Sequence, residues 1–363
     1  MLTTPPSIPP GCRAVVLRGF GDASRLELAE VATPAPSADD QMLVRVKATG
    51  VNPIEWKMRE GLGPLRYLVP RVLGTPIVLG LDFSGVVAAV GPRVAGFSVG
   101  DEVFGRVPFG GTYSDFVVVR PADRRTAVAR KPARLSHLEA APAPFAALVA
   151  YAGLVSYGGI GPSGAGRRVL VVGASGGVGH LAVQIAKRCL GASLVVGVCS
   201  ARNAEFVRGC GADEVVEYDR EPLEGLAERH PEWRASFDVI FDTVGDDRYF
   251  TAVAPELLRG RFVTAAPPPS APGRAGEDVG VVDGAALAAR LAWRRLTGPY
   301  RLIPGLFSGL PNHDGFARLV RWMDEGKLGA RIGRSFDLAQ IREAHRASET
   351  GRTVGKIAIS VQS

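Results

Sequence analysis

At 363 residues the chain is long for one compact core, which predicts two domains. An apolar content of 46% with 22% charged residues describes a globular protein and excludes a disordered or collagenous one. The net charge of +7 is spread over scattered, mostly arginine positions, so no nucleic acid is expected, and the charge reads as compositional bias plus attraction to an anionic cofactor.

The opening MLTTPPSIPPG has neither a signal nor a transit pattern, and no apolar run reads as long enough to span a bilayer. Cys12, Cys189, Cys199 and Cys210 form no C-x-x-C pair, and three of them fall in apolar surroundings. A reducing, cytoplasmic location with no membrane span and no cysteine zinc site is the expectation. From Arg13 to Val51, RAVVLRGF and LVRVKATGV alternate like half-buried strands around the Pro-rich ATPAPSADDQ. Short strand-like runs with glycine turns then continue to GGTYSDFVVV, predicting a β-rich, barrel-like domain.

A different pattern begins with AALVAYAGLVSYGGI, read as a helix, and centres on Val169 to Gly191. Val169 to Val172 predicts a parallel strand buried on both faces. Ala174-Ser175-Gly176-Gly177-Val178-Gly179 is an A-x-G-x-x-G turn, and apolar residues from Val178 to Cys189 then recur at helical steps. Strand, glycine turn and helix in that order bind a dinucleotide: Gly176 admits the pyrophosphate, Gly179 lets the helix pack close, and the helix start offers free N–H groups. Ser175, Gly176, Gly177 and Val178 are therefore cofactor residues. The next strand, Ser193 to Val198, ends in Cys199, Ser200, Ala201 and Arg202. No carboxylate follows it, while Ser200 and Arg202 suit a 2′-phosphate, which predicts NADPH. The competing reading makes Ser200 a helix cap and Arg202 a solvated residue. Strands are also expected at Glu214 to Tyr218, Phe237 to Thr243 and Gly260 to Ala266. A helix at 285–296 is read either as a packed helix with a solvated face or as a surface meeting substrate, a membrane or a second subunit in a homodimer. A further amphipathic helix is expected at Gly315 to Gly326, and a last strand at Ile357 to Val361.

NPIEWKMREG, LGLDFSGVVAAVG, FSVGDEVFG, the ASGGVG turn, GADEVVEY, FDVIFDTVG and TVGKIAIS run in order from Asn52 to Ser360. In this ordered set the chain resembles the medium-chain dehydrogenase/reductase superfamily, in its zinc-free quinone oxidoreductase and enoyl reductase branch. The resemblance implies an α/β fold: a GroES-like β-rich catalytic domain (1–148), a Rossmann doubly wound parallel sheet (149–313), and a return to the catalytic domain (314–363). It implies an active site between the two domains. It places Tyr218 beside the adenosine 2′-phosphate, with core packing as the alternative, and Val244 and Ala265 in segments approaching the nicotinamide.

Zinc members of the superfamily use a cysteine and a histidine-glutamate pair where this chain has Asn52 and Leu81-Asp82, so no metal site is expected. Asn52 is implied at the nicotinamide. Lys57 stands where many relatives have tyrosine and is a candidate to polarise a substrate carbonyl or to hydrogen-bond the cofactor ribose, a surface lysine being the alternative. Val149 replaces a threonine frequent in relatives, and Tyr113 is a lesser donor candidate than a packed aromatic. Without a Lewis acid, alcohol oxidation loses its means of deprotonating the hydroxyl, whereas an activated C=C bond needs none. Three readings follow: an NADPH-dependent reductase of quinones or enones, an enoyl reductase acting in trans on a carrier protein, or a non-catalytic NADPH-bound protein binding RNA or another protein.

Overall fold

A computed structural model of the chain describes residues 8–61, 76–266, 292–296, 298–303 and 313–362. The strands are β1 (Gly11–Leu17), β2 (Leu26–Ala32), β3 (Met42–Val51), β4 (Asp82–Val90), β5 (Glu102–Arg106), β6 (Phe116–Val119) and β7 (Ala127–Arg130). Next come β8 (Arg168–Val172), β9 (Leu194–Cys199), β10 (Glu214–Glu217), β11 (Phe237–Asp242), β12 (Leu258–Thr264) and β13 (Tyr300–Leu302), then β14 (Ile332–Asp337) and β15 (Lys356–Ser360). Two compact units form. One runs through Phe145 and takes in the later segments up to Asp324 and from Gly329; the other starts at Ala146 and includes Glu325–Leu328.

In the first unit β1 and β2 make an antiparallel pair, and a seven-stranded sheet runs β14-β15-β3-β4-β5-β7 with β6 also on β3. The pairings in that sheet are antiparallel except β14 on β15. β3 has a buried face along most of its ten residues because it pairs with β4, β6 and β15. The strand β2 escapes prediction: LELAEVA is largely exposed, so its apolar residues show no clean alternation. β15 brings TVGKIAIS back against β3, with Ala358 opposite Gly50.

The second unit holds a six-stranded parallel sheet in the order β10-β9-β8-β11-β12-β13. This is the doubly wound order, with its switch point between β8 and β11, where ligands bind beyond the carboxyl ends of the strands. Val169 to Val172 are fully buried, as strands covered on both faces require.

One expectation about length needs correcting. The stretch His137–Ser156 is 20 residues of helix apolar enough, by length and composition, to cross a membrane. Within it, 78% of the apolar 18-residue window is buried in the protein, which gives its apolar character a packing explanation. The amphipathic helix falls at His313–Asp324. Of the basic stretch at 285–296, only residues 292–296 are described and they are helical; the remainder lies outside the described residues.

Candidate cofactor and active-site residues

The glycine turn stands at the carboxyl end of β8, at the switch point. Gly173 adopts φ +74°, and a Cβ there would lie 2.5 Å from Thr243 Oγ1 and 2.8 Å from Val244 Cγ2. The ends of β8 and β11 therefore meet at a glycine. At Gly179 a Cβ would fall 2.1 Å from Gly173 O and 2.8 Å from Ala174 Cα, so only glycine lets the helix begin on top of the strand. The helix Gly179–Gln184 continues as a π-helical turn, Ile185–Cys189. Between these glycines Ser175, Gly176, Gly177 and Val178 are half-exposed. Gly176 N–H donates to Gly173 O at 2.9 Å, whereas the N–H groups of Gly177 and Val178 find no acceptor among the described residues. Exposed, unpaired donors at a helix start fit a dinucleotide pyrophosphate.

Next to the turn lies the segment after β9. Ser200 is buried, and its Oγ accepts from Asn203 Nδ2 at 3.1 Å; the same amide donates to Ser175 Oγ at 3.2 Å. Ser200 makes no side-chain cap to the following helix, so the capping reading of its hydroxyl fails. Arg202 is exposed, with no ion pair among the described residues. Tyr218 is 53% exposed, which removes core packing as the explanation for its ring, and its N–H donates to Cys199 O. The carboxylate that the chain lacks directly after β9 comes from another strand. No acid follows β9 in the chain, but Asp219, from the end of β10, accepts the Ala201 N–H at 2.8 Å.

Asp242 organises the remaining cofactor segments; sequence reasoning placed it at a strand end near the nicotinamide but gave its side chain no role. Its buried carboxylate accepts the N–H groups of Val244 (2.9 Å) and Gly245 (3.0 Å) and the hydroxyl of Thr264 (2.9 Å). Its carbonyl accepts the Ala265 N–H at 2.9 Å. Burial raises its pKa, against the pull of these donors. One side chain thus fixes both loops, leaving Val244 exposed and Ala265 half-buried. The available signal was an acid closing the otherwise apolar end of FDVIFD.

Asn52 and Lys57 belong to the first unit. Asn52 precedes the helix Pro53–Glu60 and is closed in: Nδ2 donates to Asp82 Oδ2 at 2.9 Å, and Oδ1 accepts from Lys356 Nζ at 2.6 Å. Its N–H donates to Glu55, whose carboxylate also takes the Leu81 N–H (2.9 Å) and the Tyr113 hydroxyl (2.9 Å). Tyr113 OH lies 3.2 Å from His345 Nε2, and His345 Nδ1 lies 3.4 Å from Arg59 Nη1. Asp82 further accepts the Phe145 N–H at 2.8 Å. Burial pushes the Glu55 carboxyl up to about 7 despite its donors, and pushes His345 down to about 3, with the Arg59 charge adding to it. Tyr113 is thus a packed partner. Lys57 is different: it is half-buried against the Trp56 ring, 5.5 Å from its centroid, with no acceptor among the described residues. Burial lowers its pKa.

The basic helix at 292–296 exposes Trp293 and Leu296, and Arg294 pairs with Asp247. Among the described residues no group of three His, Cys, Asp or Glu side chains is placed to hold a metal.

Two family models match: an alcohol dehydrogenase GroES-like domain over residues 38–132 and a zinc-binding dehydrogenase over 210–359. The chain is 33% identical over 353 residues to a chloroplastic quinone-oxidoreductase homolog of Spinacia oleracea, covering 95% of this chain and 97% of that protein. It is 29% identical to the 2-methylene-furan-3-one reductase of Solanum lycopersicum, covering 97% and 80%. The Escherichia coli quinone oxidoreductase complexed with NADPH superposes with a TM-score of 0.75 at 25% identity, covering 97% and 100%. The chain belongs to the medium-chain dehydrogenase/reductase superfamily, in its quinone oxidoreductase branch, and is an NAD(P)H-dependent oxidoreductase.

Proposed function

We propose that this protein is a zinc-independent, NADPH-preferring reductase of quinones or of the C=C bond of α,β-unsaturated carbonyls. The observation that carries the reading is the state of Asn52. The place of a zinc-binding cysteine is taken by an amide whose oxygen holds the Lys356 ammonium at 2.6 Å, and whose nitrogen is spent on Asp82. A divalent cation there would face a buried positive charge and no free ligand, so the residues present do not fit zinc. Chemistry without a Lewis acid favours a substrate whose own carbonyl draws off charge. The tomato relative is named for such a substrate, a methylene group beside a ring ketone.

The bound nicotinamide supplies the hydride. Gly177 and Val178 N–H groups bind the pyrophosphate, and Arg202 and Ser200 take the 2′-phosphate, with Tyr218 beside them. Asp242 holds the Val244 and Ala265 backbone against the cofactor's reactive end. Lys57, an ammonium with no internal acceptor among the described residues, donates to the substrate carbonyl and stabilises the enolate as hydride arrives. Asn52 acts by position, at the start of the helix that carries Lys57. The β-carbon receives hydride, the electron pair moves to the carbonyl oxygen, and a proton from water completes the α-carbon.

The test is isotopic. With NADPH deuterated at C4, the label is expected on the β-carbon of a reduced enone, with solvent deuterium at the α-carbon, in chelator-treated protein. Secondary alcohols with NADP⁺ are expected to react far more slowly. Efficient alcohol oxidation by metal-free protein, with no quinone or enone turnover, would overturn the assignment.

A further inference from the structure

We infer that Asp219 sets how strongly this protein separates NADPH from NADH, by placing a carboxylate against the segment that receives the adenosine ribose. The inference rests on the reading of Ser200–Arg202 as that segment. β10 runs parallel to β9 with Glu217 beside Cys199, and the Tyr218 N–H donates to Cys199 O. The pairing therefore extends one residue past the strand and delivers Asp219 to Ala201, whose N–H it accepts at 2.8 Å. Its charge is also felt at Cys199, where burial first, then Glu217 and Asp219, push the thiol up to about 11.

The surrounding charges are mixed. Glu217 is answered by Arg220, 3.0 Å away. Arg202 has no ion pair among the described residues, and the Ser200 hydroxyl already accepts from Asn203. A 2′-phosphate arriving here gains Arg202 but meets a carboxylate that repels it and already holds the Ala201 N–H. A plain ribose diol is not repelled, and its hydroxyls can donate to the same carboxylate. Arg202 and Asp219 consequently pull the preference in opposite directions. The margin for NADPH is smaller than the arginine alone would give, and NADH remains usable.

The experiment measures Kd for NADPH and NADH by nucleotide fluorescence on the full-length protein at fixed ionic strength. Asp219→Asn keeps an oxygen for the Ala201 N–H and removes the charge. It is expected to tighten NADPH by about tenfold, the scale of one charge-assisted contact. NADH should stay level or weaken, and the gain should shrink as salt rises. Arg202→Ala is expected to move the ratio the other way, weakening NADPH alone. Asp219→Ser, expected to behave like Asp219→Asn, covers the case in which the first variant folds poorly by melting temperature. Equal changes for both nucleotides, or none for either, in a folded Asp219 variant would overturn the inference while leaving the cofactor site standing. A wild-type protein that binds neither nucleotide would overturn the cofactor reading itself.

Discussion

At residues 175–178 the chain leaves backbone donors unpaired on a half-exposed turn, with an arginine nearby that no carboxylate among the described residues answers. Around Asn52 it encloses Glu55, Arg59, Asp82, Tyr113, His345 and Lys356, all at most 3% exposed, and joins them by hydrogen bonds. Both regions are dense in polar chemistry, yet they use it differently. Donors left open to solvent cost nothing in the free protein and can be given to a ligand. Donors enclosed in protein must be satisfied internally or they destabilise the fold. Polar density alone therefore does not mark a binding site; the count of partners already present does.

The largest effect is expected from removing one member of the enclosed set. Lys356→Met strips the ammonium from Asn52 Oδ1 and takes from the buried Asp82 carboxylate the larger of the two positive charges, Lys356 and Arg106, that offset its burial. Removing one partner of a buried charged set costs about 3–5 kcal/mol, and urea unfolding should register a loss of that size. A variant as stable as the parent would show that the network carries no fold energy.

At the open turn two glycines should respond differently to the same substitution. Gly179→Ala drives a Cβ to 2.1 Å from Gly173 O, so the helix start must shift, at a cost of about 1–3 kcal/mol and a tenfold or greater loss of NADPH affinity. Gly176→Ala meets Gly173 O at 3.3 Å, a tight contact that a shift of a few tenths of an ångström relieves, so it should cost clearly less stability than Gly179→Ala while still losing affinity. Thermal melts with nucleotide titration separate the two; matching stability losses would contradict the geometry.

The smallest effect is a pH dependence inside the enclosed set. Glu55 keeps its proton to about pH 7 when folded but releases it near 4.5 when unfolded, so its contribution to stability falls as pH rises between those values. His345 works in reverse. Unfolded, it binds a proton below about 6.5; folded, it refuses one until about 3, so its contribution falls as pH drops through that range. Between pH 4.5 and 6.5 the two slopes oppose each other. Glu55→Gln should leave a melting temperature that rises with pH more steeply than the parent's across that window. His345→Gln should shift the slope the other way, each by on the order of 2 kcal/mol over the window. Parallel profiles for parent and both variants would mean that neither group titrates differently on folding.

Much of the fold was legible because its signals are local. The run Val169 to Val172 gave a doubly covered strand, the glycines a turn, and the helical spacing after Val178 the element that caps it; neighbours in sequence decide all three. The family motifs supplied the order of the rest. Which residues stand beside which was decided by the tertiary structure. Asp219 follows Ala201 by 18 residues and reaches it only through the parallel register of β9 and β10. Asp242 governs Thr264 across 22 residues because β11 and β12 lie side by side. Lys356 finds Asn52 across 304 residues because β15 closes onto β3. Periodicity encodes which face of an element is apolar, but a hydrogen bond between elements depends on strand order and register, and those are set by packing of the whole chain.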